Sequence, residues 1–141
     1  MIRRKFLLLL FAIPLFVTPS VSTQTGNHPS LQSRKWDEYS DVKSNDAKAR
    51  LDSFAVDLQS APDAQGYIIG YGGRKCPNTA QAQVNLARRY LVGNRGLDGA
   101  RVVVINGGRR SDANTYTVEL WLVPRGATPP NPTPTLTKRC R

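Results

Sequence analysis

The residues able to do chemistry are few. The chain holds one His, His28, and two Cys, Cys76 and Cys140. That inventory excludes most metal sites and nearly all classical catalytic triads. No metal site and no cofactor is expected. The carboxylates Asp37, Glu38 and Asp41 lie close together and read as a solvated acidic edge. A glycosidase needs two carboxyl groups across a cleft; Glu119 with Asp37 or Asp41 can be imagined in that role, but nothing demands it. Trp36 and Trp121 read as packing residues, with sugar stacking as the alternative. The conspicuous polar feature is cationic. Arg74, Lys75, Arg88, Arg89, Arg95, Arg101, Arg109 and Arg110 fall in loops and at helix ends. They form either a solvated basic surface or a site for carboxylates or phosphates. If the loops Gly72-Gly73-Arg74-Lys75 and Gly108-Arg109-Arg110 are neighbours, they make one basic rim.

The N-terminus says where these residues are sent. Arg3, Arg4 and Lys5 precede an apolar stretch, Phe6 to Val17, which has the length of a signal-peptide core and is short of a membrane span. Ser20-Val21-Ser22 predicts cleavage between Ser22 and Thr23. The expected location is the periplasm or the medium, with no transmembrane span after cleavage. The chain beyond residue 22 carries seventeen basic and ten acidic residues, a net of +7. Such a charge favours anionic partners without specifying one, and export makes nucleic acid a poor candidate. In an oxidising compartment the even cysteine count favours a Cys76–Cys140 disulfide. Two free thiols or an intermolecular bridge are the other outcomes.

The 141 residues make one domain, at about 100–200 residues per domain. Residues 1–22 are the signal peptide and residues 23–35 a polar leader. Residues 36–123 form the core, and residues 124–141 a Pro-rich extended tail or spacer. Trp36 to Val42 suits a short edge strand. Ser44, Asn45 and Asp46 offer caps for a helix whose apolar stripe is Ala47, Leu51, Phe54, Ala55 and Leu58. Tyr67 to Tyr71 reads as a buried central strand. A second helix, Ala80 to Val92, is capped by Asn78 or Thr79 and stopped by Asn94 or Gly96 in the left-handed region. Arg101 to Asn106 is the third strand, and Gly107-Gly108 opens a loop. In Tyr116 to Val123, Val118, Leu120 and Leu122 face one way and Thr117, Glu119, Trp121 and Val123 the other. Strand-helix-strand-helix-strand-strand predicts an α+β two-layer sandwich, a mixed sheet with both helices on one face.

Several segments of the core resemble the OmpA-like (OmpA/MotB C-terminal) domain family of the bacterial envelope. Tyr67-Ile68-Ile69-Gly70-Tyr71-Gly72-Gly73-Arg74 resembles the family strand ending G-Y/H-T-D. Leu86 to Leu91, then Gly96-Leu97-Asp98 and Arg101-Val102, resembles its R-A-x-x-V-x-x-Y-L…G-I…R-I run, and Val118-Glu119-Leu120 its closing R-R-V-E-L. The resemblance covers roughly Trp36 to Val123. It implies a non-enzymatic domain that binds peptidoglycan, in which an Asp and an Arg hold the two charged ends of diaminopimelate. Here the Asp position falls on Gly73, the Arg position on Gln83, and the closing arginines on Tyr116 and Thr117. Gly73 removes the acceptor for the ammonium, so two-ended recognition cannot be reproduced. Arg74 or Arg88 could come near the pocket, and Gly73 could present a bare N–H.

The expected function is an exported, non-enzymatic envelope protein with a degenerate peptidoglycan site. Its candidate ligand-binding residues are Tyr71, Gly73, Arg74, Lys75, Gln83, Arg88, Arg109 and Arg110. Its expected partners are peptidoglycan or another anionic envelope polymer, or an envelope protein. The alternative is a secreted, disulfide-closed module that binds a protein through a sheet edge or the Pro-rich tail, without peptidoglycan. A small hydrolase acting on wall material ranks third.

Overall fold

The computed structural model describes residues 31–75 and 79–137. The signal peptide, His28, Cys76, Asn78 and Cys140 lie outside the described residues. The elements run β1 (Arg34–Ser40), α1 (Ser44–Ser60), β2 (Gln65–Gly72), α2 (Thr79–Arg89), β3 (Val102–Arg109) and β4 (Tyr116–Val123). They build a four-stranded mixed sheet in the order β1-β4-β2-β3. β2 and β3 are parallel, while β4 is antiparallel to both β1 and β2. No helix among the described residues is long and apolar enough to cross a membrane.

The apolar core lies between the sheet and the helices. α1 buries Leu51, Phe54, Ala55 and Leu58, and α2 buries Val84 and Ala87, against Ile68, Val102, Val118 and Leu120. The 3.6-residue stripe of the helices and the two-residue alternation of β4 meet on this surface. Leu122 packs at its margin. α1 begins at Ser44 with Lys43 as its N-cap residue and no side-chain cap, so Ser44, Asn45 and Asp46 sit in its first turn rather than at the cap. Asp41, at φ 51°, turns the chain out of β1, and the helix starts before any of the three can act as its cap. α2 ends at Arg89, and its continuation, Tyr90–Asn94, is one wider π-helical turn. Gly96 comes next in the left-handed region, at φ 70°.

Arg101 closes the other end of α1. Its guanidinium donates to the carbonyls of Leu58 at 2.6 Å, Ala61 at 2.7 Å and Ala64 at 3.0 Å. The Leu58 carbonyl belongs to the last turn of α1, where helix acceptors are short of partners, and those of Ala61 and Ala64 to the turn that follows; the cation also opposes the negative end of the helix dipole.

β1 starts at Arg34, so the leader ends two residues earlier than the sequence suggests. Its pairing with β4 shifts between Lys35 and Asp37. The bulge lets Trp36 and Asp37 both reach α1: the indole N–H donates to Asp57 at 2.6 Å, and Arg50 donates to Asp37 at 2.6 Å. Lys35 and Glu38 face the opposite side. β3 runs on through Gly107 and Gly108 to Arg109, which the sequence places in a loop.

The Pro-rich segment is no spacer over its described length. Residues 124–137 run back along the sheet face opposite the helices. The Ser33 hydroxyl donates to the Thr128 carbonyl, Pro130 is buried, and the Thr133 N–H donates to the Tyr71 hydroxyl at 3.2 Å. The N–H groups of Thr135 and Leu136 reach the Arg109 carbonyl at 2.9 and 3.1 Å. Proline suits such a strap because its extended conformation is preset and it leaves no amide donor to satisfy. Ile69, Tyr71 and Thr117 on this face are fully buried.

Glu119 lies among them with 2% exposure. It accepts from Lys35 and the Trp121 indole at 2.9 Å, from Arg110 at 2.9 Å and from the Tyr71 hydroxyl at 3.2 Å. Burial pushes its pKa up, but the Lys35, Trp121 and Tyr71 hydrogen bonds and the Lys35 charge outweigh it and leave the carboxyl below its ordinary value.

Two substitutions test this account. Arg101→Ala should lower stability by about 2 kcal/mol, since hydrogen bonds from a charged donor are lost together; urea unfolding measures this. Glu119→Gln should cost about 2 kcal/mol at neutral pH, because it takes the buried carboxylate from Lys35 and Arg110, which keep only Glu38 and Asp112 as partners. A carboxyl depressed by folding stabilises above its unfolded pKa of about 4.3, and that stability is lost as pH falls through the folded value. The gap between wild type and Glu119→Gln should therefore narrow in acid.

Candidate functional site

Two places gather the candidate residues. The first is the end of the sheet where β2 and β3 finish. There residues 73–75 are clasped by residues 113–115. The N–H groups of Gly73, Arg74 and Lys75 donate to the carbonyls of Thr115 at 2.8 Å, Ala113 at 3.1 Å and Asn114 at 2.9 Å. Gly73 therefore presents no bare N–H. It is also required sterically, because a Cβ there would lie 2.4 Å from the Asn114 carbonyl carbon. The backbone of residues 113–115 fills the space an Asp side chain would need.

Asp41 fixes that backbone from the other side. Its carboxylate accepts from the N–H groups of Asn114 at 2.9 Å, Thr115 at 3.0 Å and Tyr116 at 3.2 Å, and from the Thr115 hydroxyl. Desolvation acts to raise its pKa, but the hydrogen bonds from the Thr115 hydroxyl and the three N–H groups prevail, so the carboxyl is held below its ordinary value. Asp41 is spent on a loop, and Asp37 faces the helices while Glu119 faces the strap. The three carboxylates do not converge on a cleft.

The expected basic rim is real in position but only half free. The Arg109 guanidinium donates to the carbonyls of Gly73 at 3.0 Å and Arg74 at 3.2 Å. Arg110 turns inward to Glu119, meets Asp112 at 2.5 Å and Glu38 at 3.5 Å, and sits 5.0 Å over the Tyr71 ring. Tyr71, fully buried, is part of that network and no surface group. Arg74 and Lys75 are exposed; Arg74 donates to the Asn114 side chain at 3.0 Å. Arg88 is not part of this rim. It lies toward the far end of α2, where it donates to the carbonyls of Gly99 at 3.2 Å and Val102 at 3.3 Å. Those residues begin β3, and Arg109 ends it. An eight-residue strand, about 25 Å, separates the two groups.

The second place is a groove of about 310 Å³ between α1 and α2, and it contains Gln83. Its walls also hold Tyr39, Ser44, Lys48, Leu86, Arg89 and Tyr90. No carboxylate is among the lining residues, and neither Lys48 nor Arg89 has an ion pair or hydrogen bond with a described residue. Tyr39 is 4% exposed, and its hydroxyl makes no hydrogen bond with a described residue. Burial pushes this phenol well above its ordinary pKa, so it is a neutral donor. Tyr90 is anchored by a 2.7 Å hydrogen bond to Asp52, which raises its phenol too. Ser44 brings the uncapped first turn of α1 to the rim, and unpaired N–H groups there attract anions. The groove can take a carboxylate or phosphate alongside an apolar or aromatic surface. No carboxylate lines it directly; Asp52 stands behind the Tyr90 hydroxyl, and Asp46 lies in the first turn of α1.

Sequence reasoning missed Lys48 and Tyr39 as groove residues. α1 and α2 are adjacent only because both lie on one face of the sheet, and neither helix alone signals that neighbour. Among the described residues no group of three His, Cys, Asp or Glu could hold a metal ion.

No family model matches the chain, and no curated protein matches it in sequence.

Gly73→Asp tests the steric account. It restores the residue type expected from the resemblance, yet it should destabilise the protein by about 3 kcal/mol through overpacking and create no diaminopimelate binding. Thermal unfolding and ligand titration would show both.

Proposed function

We propose that the protein is an exported, non-catalytic module of OmpA-like architecture that binds carboxylate-bearing cell-wall peptide by one charged end only. The observation that carries the reading is the α1–α2 groove, where Gln83 stands among Lys48, Arg89 and the Tyr39 hydroxyl with no acid in the walls. The element order, the mixed sheet and both helices on one face agree with the resemblance that suggested the family. The ligand's carboxylate meets Lys48, Arg89 and the open end of α1. Its ammonium stays in water, because the position that should supply an Asp is Gly73, packed against residues 113–115. Single-ended recognition by exposed cations is weak and sensitive to salt. Avidity on a repeating polymer compensates, since many weak sites on one sacculus act together. Arg74 and Lys75 add to the encounter by charge alone.

The decisive experiment is co-sedimentation with purified diaminopimelate-type peptidoglycan at low and physiological salt. Binding should occur at low salt and weaken severalfold at about 0.15 M, where the screening length falls to about 8 Å. Pimelate, which lacks both amines, should compete as well as diaminopimelate. Lys48→Ala with Arg89→Ala should abolish the pulled-down fraction without lowering Tm. No sedimentation at low salt, or competition by diaminopimelate alone, would overturn the reading.

A further inference from the structure

The two edges of the sheet are treated differently. β1 carries Arg34, Lys35, Asp37 and Glu38 and is broken by a bulge, both of which discourage another strand from pairing. β3 has neither protection over most of its length. Val102-Val103-Val104-Ile105-Asn106-Gly107-Gly108 contains no charge and no proline. Val103, Val104 and Ile105 are only half-buried. Half of the backbone N–H and C=O groups of a parallel edge strand point away from its one neighbour. Between Val103 and Gly108 no described residue outside β2 hydrogen-bonds to this backbone, apart from Asn106, whose own side chain takes the Gly108 N–H at 3.0 Å. At Arg109, just beyond, the outer carbonyl already receives extended chain, through the N–H groups of Thr135 and Leu136.

Charge selects the occupant. From Ala64 to Ser111, which spans β2, α2 and β3, the chain carries eight Lys and Arg residues and one acid, Asp98; of the eight, Arg95 pairs with Asp52 and Arg110 with Glu38, Asp112 and Glu119. One of these cations stands at the start of β3 in a fixed position. Arg88 is held by the Gly99 and Val102 carbonyls, whereas Arg101 turns inward to the Leu58, Ala61 and Ala64 carbonyls. Carbonyls orient a guanidinium without neutralising it. A second copy pairing edge to edge would bring two such basic halves together, against like-charge repulsion. We propose that the open edge of β3 is a docking site for an extended acidic peptide. The peptide adds as a fifth strand along Val103–Gly107, with its carboxylates beside Arg88. Main-chain hydrogen bonds supply affinity and the flanking cation supplies selectivity and register. This site is separate from the α1–α2 groove, so it stands whether or not cell-wall peptide binds there.

The test uses the purified protein and an acetylated, amidated peptide of two glutamates followed by alternating valine and threonine. The same peptide with lysines for the glutamates is the control. Amide hydrogen exchange should slow by about tenfold or more at alternate residues of Val103–Gly107, with the acidic peptide only. Arg88→Gln should weaken that peptide's binding severalfold; because the variant also loses the Gly99 and Val102 contacts, amide exchange of the free variant checks that β3 is still folded. Protection elsewhere, or equal binding of the lysine peptide, would overturn the proposal. So would concentration-dependent dimers in sedimentation that protect the same amides without peptide, because a second copy would then be the occupant.

Discussion

A carboxylate with 2% exposure at the centre of a sheet is costly to fold unless its charge is answered on every side. Glu119 meets that condition only when four separate parts of the chain are in place. Lys35 comes from β1, Tyr71 from β2, Arg110 from the turn after β3, and Trp121 from β4 itself. The Tyr71 hydroxyl then takes the Thr133 N–H, which ties the strap to the same network. The bulge at Trp36 belongs to this arrangement as well. It leaves Lys35 and Glu38 on the outer face while Trp36 and Asp37 serve α1. The requirement to satisfy one buried charge thus couples sheet order, strand register and the course of the C-terminal segment.

The same constraint removes residues from the ligand surface. Tyr71 and Arg110 look, by type and by loop position, like a binding pair. They are consumed by Glu119. Arg109, Arg88 and Arg101 are held by backbone carbonyls at strand and helix ends, where they act as caps. Cations with no such duty among the described residues include Lys48 and Arg89 on the helix side and Lys75 in the loop.

The sequence made the architecture legible because burial there obeys simple periods. The stripe of α1 and the alternation of β4 appear as written, and the central place of Tyr67 to Tyr71 comes from its unbroken apolar run. It was less informative wherever a polar group answers to something distant in the chain. Gly73 reads as a lost acceptor, yet it is a steric necessity imposed by residues 113–115. Arginines bound to carbonyls leave no charge-pair pattern in a sequence, so Arg88 and Arg101 read as surface cations. The prolines after Val123 read as a spacer because composition reports extended chain but not what lies beneath it. The continuation of β3 through Gly107 was hidden for a related reason: a Cβ there would meet the Tyr71 ring at 2.4 Å, so glycine marks a close approach and not a turn.

The distribution of charge gives these separate features one consequence. Seven of the ten acids lie between Asp37 and Asp63, on β1, α1 and their connections, interspersed with Arg34, Lys35, Lys43, Lys48 and Arg50. That half is near balance and pairs internally, as Arg50 with Asp37 and Lys35 with Glu38 show. The β2–α2–β3 half has one acid of its own: Arg95 and Arg110 pair with acids from outside it, while Arg88, Arg101 and Arg109 are held by carbonyl dipoles. A guanidinium held by carbonyls keeps its full charge and its position, which is the condition for a preorganised anion site. The cation-rich half also contains the sheet edge without charge or bulge, while the balanced half contains the blunted one. The electrostatic and backbone asymmetries therefore point to the same side of the molecule, where an incoming anionic chain meets both a fixed cation and unpaired backbone.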